Sequence, residues 1–148
     1  MGVLAAGLIA AVLMVLADFQ VVVSVDVAGG SCDVINDSNP KLAEDCEQSG
    51  LERHGPALIL LGVFCAFMAW GAGVGASRPA AAALAVAGAV VLGIALVIDL
   101  PVTDDTGAIG PAFAGATAQA EIGFTLELVA GALALGAGAA GWWLLGRD

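Results

Sequence analysis

Four long apolar stretches, about residues 2–25, 56–76, 80–100 and 122–145, constrain this 148-residue chain more than any motif in it. A helix needs roughly 20 predominantly apolar residues to cross a hydrocarbon core. Each stretch meets that length, so the chain is predicted to be all-α, an integral membrane four-helix bundle forming a single domain over 1–148. Two longer connections, about 26–55 and 101–121, fall on one side, and the tight Ser77, Arg78, Pro79 turn falls on the other. Apolar residues make up 60% and charged residues 12% of the sequence, with a mean hydropathy of +0.99. That balance lies outside the range of soluble domains, and the spans leave no room for a soluble domain of useful size. The first stretch lacks a basic leader and is longer than a signal-peptide core, so it is read as a retained span rather than a cleaved signal.

Orientation rests on few charges. Arg78 lies in the short turn and Arg147 follows the fourth stretch, and basic residues favour the cytoplasmic side. Trp70, Trp142 and Trp143 lie toward the same ends, where indole rings prefer the interface. These anchors predict an N-in/C-in topology with two extracytoplasmic loops, although Lys41 and Arg53 in the first loop weigh the other way. The formal charge of −10 then sorts to one side. Asp26, Asp33, Asp37, Glu44, Asp45, Glu47 and Glu52 outnumber Lys41 and Arg53 in the first loop, and Asp99, Asp104, Asp105 and Glu121 flank or occupy the second. Such a surface concentrates cations within a Debye length, so cations at the outer acidic loops are a candidate partner. The plain alternative is that outer loops simply tolerate acids. With four Lys and Arg in total, no basic patch exists to follow a phosphate backbone, and nucleic acid is not an expected partner.

Cys32 and Cys46 share the first loop, separated by turn-forming Asn36, Asp37, Asn39 and Pro40. On an oxidising side they are placed to form a disulfide closing a loop of about 15 residues. A metal centre there lacks ligands, since His54 is the only histidine. No metal site and no cofactor are therefore expected. Cys65, inside the second span, reads as packing. His54, at the mouth of that span, reads as an interfacial polar residue rather than a catalytic base, with titration near neutrality leaving a sensing role open.

Small residues recur every four positions at Ala81, Ala85, Ala89 and Gly93, at Ala130, Ala134 and Gly138, and at Gly71 and Gly75. In lipid, such faces allow close backbone approach, either within one bundle or between subunits.

Charged residues inside spans are costly and mark pairing or function. Asp18, Asp99 and Glu127 fall at a similar depth on three different spans, in the outer third of the bilayer, with Gln20 as a neutral neighbour and no embedded Lys or Arg as partner. One reading is a cation or proton site beneath an acidic vestibule. The other is that small boundary shifts place Asp18 and Asp99 at the interface as helix caps, which leaves Glu127 alone inside.

The four spans and a long first outer loop with a Cys pair resemble claudin-type tetraspan proteins in layout, without the Trp and Gly-Leu-Trp signature that precedes the claudin cysteines. The pieces His54-Gly55-Pro56-Ala57-Leu58, Ser77-Arg78-Pro79-Ala80, Ile98-Asp99-Leu100-Pro101, Gly123-Phe124 and Leu126-Glu127 are similar to small uncharacterised four-span bacterial membrane proteins. That resemblance implies topology and a multi-pass place in the cell membrane, the bacterial plasma membrane. Enzyme signatures are absent: there is no plausible Ser, His and Asp set, no phosphate-cradling Gly loop with Lys and no Cys-x-x-Cys. The expected function is that of a non-enzymatic structural or accessory tetraspan, a homo-oligomer or partner of other membrane proteins, with the disulfide-closed acidic loop as contact surface. The alternative is a cation or proton channel or transporter using Asp18, Asp99 and Glu127. A pathway requires those carboxylates to meet in a common wet cavity, whereas a scaffold predicts that they face the headgroups singly.

Overall fold

The computed structural model describes residues 1–28, 32, 42 and 46–146. Arg147 and the loop residues Asp33, Asn36, Asp37, Asn39, Pro40, Lys41, Glu44 and Asp45 lie outside the described residues. Helices dominate: α1 (Gly2–Phe19), α2 (Gly50–His54), α3 (Ala57–Gly73), α4 (Arg78–Gly93), α5 (Ile109–Ala112) and α6 (Ile122–Leu144). Three helical runs, Gly2–Phe19, Arg78–Ala112 and Ile122–Leu144, are long and apolar enough to cross a membrane, and Ala57–Gly73 is a shorter apolar helix. α1, α3, α4 and α6 pack as a ring in which α1 touches α3 and α6, and α4 touches the same two. Large apolar side chains such as Ile9, Val12, Leu60, Phe67, Val86, Val97 and Val129 point outward. Small and medium ones, among them Ala10, Met14, Cys65, Leu84, Ala130 and Ala134, fill the inside. Bulk outside and small residues inside is the pattern of helices that gain contact by backbone approach.

The closest approach is between α4 and α6. A methyl group added at Gly88 would overlap the backbone of Leu135 and Gly131, and one at Gly138 the backbone of Ala85 and Ala81. Backbone cannot yield as a flexible side-chain tip can. Gly88→Val is therefore expected to destabilise the chain by about 1–3 kcal/mol through overpacking, read as a lower unfolding midpoint in detergent, whereas Gly93→Ala, where nothing lies within 4 Å, should not. Ala89 is exposed and Gly93 half-buried, so the expected four-residue stripe faces the partner helix only over its first half.

The ends of the bundle differ. Gly73 meets Leu4, Gly141 meets Val3 and Ala81, and the Arg78 guanidinium lies 4.4 Å over the Trp142 ring. The N-terminus, the Val74–Ser77 turn and the end of α6 thus share one end, with Trp70, Trp142 and Trp143 exposed around it. Ser77 caps α4 by accepting from the Ala80 amide, and Pro79 fits the first turn, where no helical N–H partner is needed.

At the other end the prediction of an all-α chain needs correction. α1 stops at Phe19 rather than near Val25, and β1 (Val21–Asp26) continues as the central strand of a three-stranded antiparallel sheet, order β2-β1-β3. β2 is Glu47–Ser49 and β3 is Thr117–Ala120, with Val23 opposite both Gln48 and Ala120. The β-branched run Val21-Val22-Val23 loses side-chain freedom in a helix and fits a pleated surface. Val22, Val23, Ala95 and Phe124 join the sheet to the bundle, and Val25, Val27, Cys46 and Ile109 form a separate small core beyond it. The Cys32–Cys46 disulfide closes this cap, with its Cα atoms 5.7 Å apart.

Candidate functional site

The junction of bundle and cap gathers the carboxyl groups that lie within the apolar helical runs, Asp18, Asp99 and Glu127. Asp18 is the penultimate residue of α1 and is fully buried. Its Oδ2 accepts from the Ile59 amide at 3.3 Å. Ile59 lies in the first turn of α3, whose N–H groups have no partner within the helix, and Pro56 before it offers no side-chain cap. An acid from α1 thus caps α3, in accord with the helix dipole. Asp18 Oδ1 has no hydrogen-bond partner among the described residues.

Asp99 is delivered by an irregular helix. After Gly93 the chain winds as a π-helix over Ile94–Asp99 and then as a 3-10 helix over Leu100–Asp104. In an α-helix a four-residue step drifts about 40° around the axis, so two steps from Val91 would carry Asp99 off the inner face. The wider π turn removes that drift. Val91, Ala95 and Asp99 are all fully buried, while Leu96, Val97 and Ile98 face outward. Such windings recur at functional sites.

The capping box of α2 brings in the opposite charge. Ser49 Oγ accepts from the Glu52 amide, and the Glu52 carboxylate accepts from the Ser49 amide at 2.8 Å. These hydrogen bonds from Ser49 hold the Glu52 carboxyl below its usual range. The short helix ends at Gly55, whose φ of +58° belongs to glycine, and Pro56 turns the chain into α3. Arg53 and His54 are thereby pointed inward at the bundle mouth. Arg53 Nε donates to Asp99 Oδ1 at 2.8 Å and Arg53 Nη1 to Gln48 Oε1 at 2.8 Å. His54 Nε2 lies 3.0 Å from Asp99 Oδ2 and 3.9 Å from Glu127 Oε1. The side chains of Arg53 and His54 are only 12% and 7% exposed.

Glu127, in the second turn of α6, is fully buried, and neither of its oxygens has a hydrogen-bond partner among the described residues. His54, Asp99 and Glu127 each offer a ligand atom within 4.8 Å of the others. Three carboxylates against one guanidinium leave a formal charge of −2 with His54 neutral, in a place where charge is expensive unless compensated.

All three carboxylates singled out in the sequence therefore meet at one end of the bundle, together with His54, expected at the mouth of the second span, and Arg53, expected in the loop. The expectation of no embedded basic partner fails because Arg53, read as a loop residue, reaches Asp99. The readable signal was Ser49-x-x-Glu52 followed by Gly55-Pro56, a helix start and stop around the two basic residues. The cysteine loop lacks metal ligands, but His54 stands beside Asp99 and Glu127, where the three together could hold an ion. Among the described residues, those buried beyond the cluster toward the Arg78 end are Ala, Leu, Met, Val, Cys and Gly, and the other buried polar residues, Ser24 and Thr103, lie on the cap side. No family model, no curated protein and no solved structure matches the chain.

Proposed function

We propose that the chain is a non-enzymatic, four-span protein of the cell membrane, N-in/C-in with its disulfide-closed cap outside, that takes up a proton or a cation in the buried cluster between cap and bundle. The observation that carries this reading is Glu127: a fully buried carboxyl group, both oxygens without a hydrogen bond among the described residues, beside His54 and Asp99. A group placed only for stability gains little there, since burying an acid without a hydrogen bond works against folding. Arg53 and His54 are the members with solvent contact, so exchange occurs from the cap side.

Among the described residues the apolar interior toward the Arg78 end offers no polar stepping stones, which favours an accessory binding protein over a conduit through one bundle. Proteoliposomes test this. The wild type is expected to show no proton, sodium or potassium flux above empty vesicles, and a flux abolished by Asp18→Asn, Asp99→Asn or Glu127→Gln at unchanged fold would replace the binding reading by a transport one.

Self-association is a second reading with its own support. The small-residue face of α4 and α6 is used within the chain, but an apolar groove of about 450 Å³ between α1 and α3, lined by Leu8, Val12, Val15, Gly62 and Val63, remains open to a second copy.

A further inference from the structure

We infer that His54, Asp99 and Glu127 form a binding site for one divalent first-row transition-metal cation, with zinc as the reference ion. The inference rests on the cation-uptake reading above and specifies the cation. It starts from donor chemistry. One imidazole nitrogen and carboxylate oxygens suit zinc, manganese or ferrous iron, whereas calcium and magnesium favour all-oxygen shells.

Geometry agrees. Ligands at about 2.0 Å around a tetrahedral zinc stand about 3.3 Å from one another. His54 Nε2 is 3.0 Å from Asp99 Oδ2 and 3.9 Å from Glu127 Oε1, with the three ligand atoms all within 4.8 Å of one another, so changes of roughly 0.3 and 0.6 Å bring the two histidine pairs to that spacing. The charge agrees as well, because a net −2 cluster is neutralised by one divalent ion.

The second, independent observation is the pair of orphaned acids. Among the described residues both Glu127 oxygens and Asp18 Oδ1 lack a hydrogen bond although each residue is fully buried, Asp18 on a different helix at the same end of the bundle. Three protein ligands leave a fourth position for a water. The outer shell is also in place, since the Arg53 guanidinium holds Asp99 Oδ1 while Oδ2 faces the site; such partners orient ligating carboxylates. In the metal-bound state His54 Nε2 presents its lone pair to the ion and its contact with Asp99 becomes shared coordination.

The experiment is titration of the full chain, untagged and in detergent, with Zn2+ and Mn2+ against a competing chelator, with Ca2+ and Mg2+ as comparison ions. One equivalent of zinc per chain is expected, bound at least 100-fold more tightly than calcium. Glu127→Gln and His54→Gln should each weaken it at least tenfold, while Glu47→Gln on the exposed face of the cap leaves it unchanged. X-ray absorption of the zinc-loaded protein should show a single imidazole in the shell, lost in His54→Gln. Zinc binding that both substitutions leave intact, or no preference over calcium, overturns the inference. If zinc fails to bind while proton uptake still depends on Glu127, the metal falls and the uptake reading stands; if both fail, both fall.

Discussion

Replacing Arg53 by methionine is expected to destabilise the folded chain by about 3–5 kcal/mol, the range seen when one partner of a buried ion pair is removed. Asp99 is fully buried, and Arg53 supplies the guanidinium hydrogen bond to its Oδ1. Without that group, His54 faces two carboxylates at once. Methionine keeps much of the apolar stem of arginine, so the loss reports charge rather than volume. Adding Asp99→Asn to Arg53→Met should recover a large part of the loss, because the carboxylate left behind is what makes the single change severe. Unfolding midpoints of the wild type, both single variants and the double variant in the same detergent measure the coupling, expected at 0.5–3 kcal/mol, the range for contacting residues. Additive effects would mean that the 2.8 Å pair contributes nothing specific.

Removing the disulfide should produce the second large effect. Cys32 and Cys46, 14 residues apart, cross-link the small core of Val25, Val27 and Ile109. The chain-entropy relation gives about 3 kcal/mol for a loop near this length. The cap depends on it, because its strands have six, three and four residues, and such short strands seldom hold without further support. The double change Cys32→Ser, Cys46→Ser is expected to speed backbone hydrogen exchange in β1, β2 and β3 at least tenfold while the interiors of α1, α4 and α6 exchange as before. Equal exchange in the strands would show that the sheet stands on its own packing.

The helical part of this architecture was readable because apolar length is a strong signal, and a carboxylate inside an apolar run is conspicuous. Asp18, Asp99 and Glu127 could be picked out for that reason alone. The end of α1 could not, since the apolar character resumes directly after Asp18 and Gln20 in Val21-Val22-Val23 and periodicity does not separate a buried strand from a buried helix. Only the β-branched composition favoured the strand. The small-residue stripe through Ala89 and Gly93 failed from geometry: a strict four-residue repeat walks off one face of a helix within a few turns. Nothing local announced the π winding at Ile94–Asp99. Arg53 was missed as the partner of Asp99 because a five-residue helix is set by its capping box and by Gly55, signals that carry little weight beside a span.

Whether the buried cluster responds to protons and cations is the central question, and infrared difference spectroscopy of the chain in lipid nanodiscs addresses it most directly. Spectra are taken across a pH step and on addition of Zn2+, Mn2+, Ca2+, Na+ and K+, for the wild type and Glu127→Gln. The expected result is a change in the carboxyl C=O and carboxylate bands of the wild type, on the pH step or with at least one cation, that is absent from Glu127→Gln. Identical difference spectra for the two proteins under every condition would make Glu127 a silent buried acid and contradict the assignment of this site.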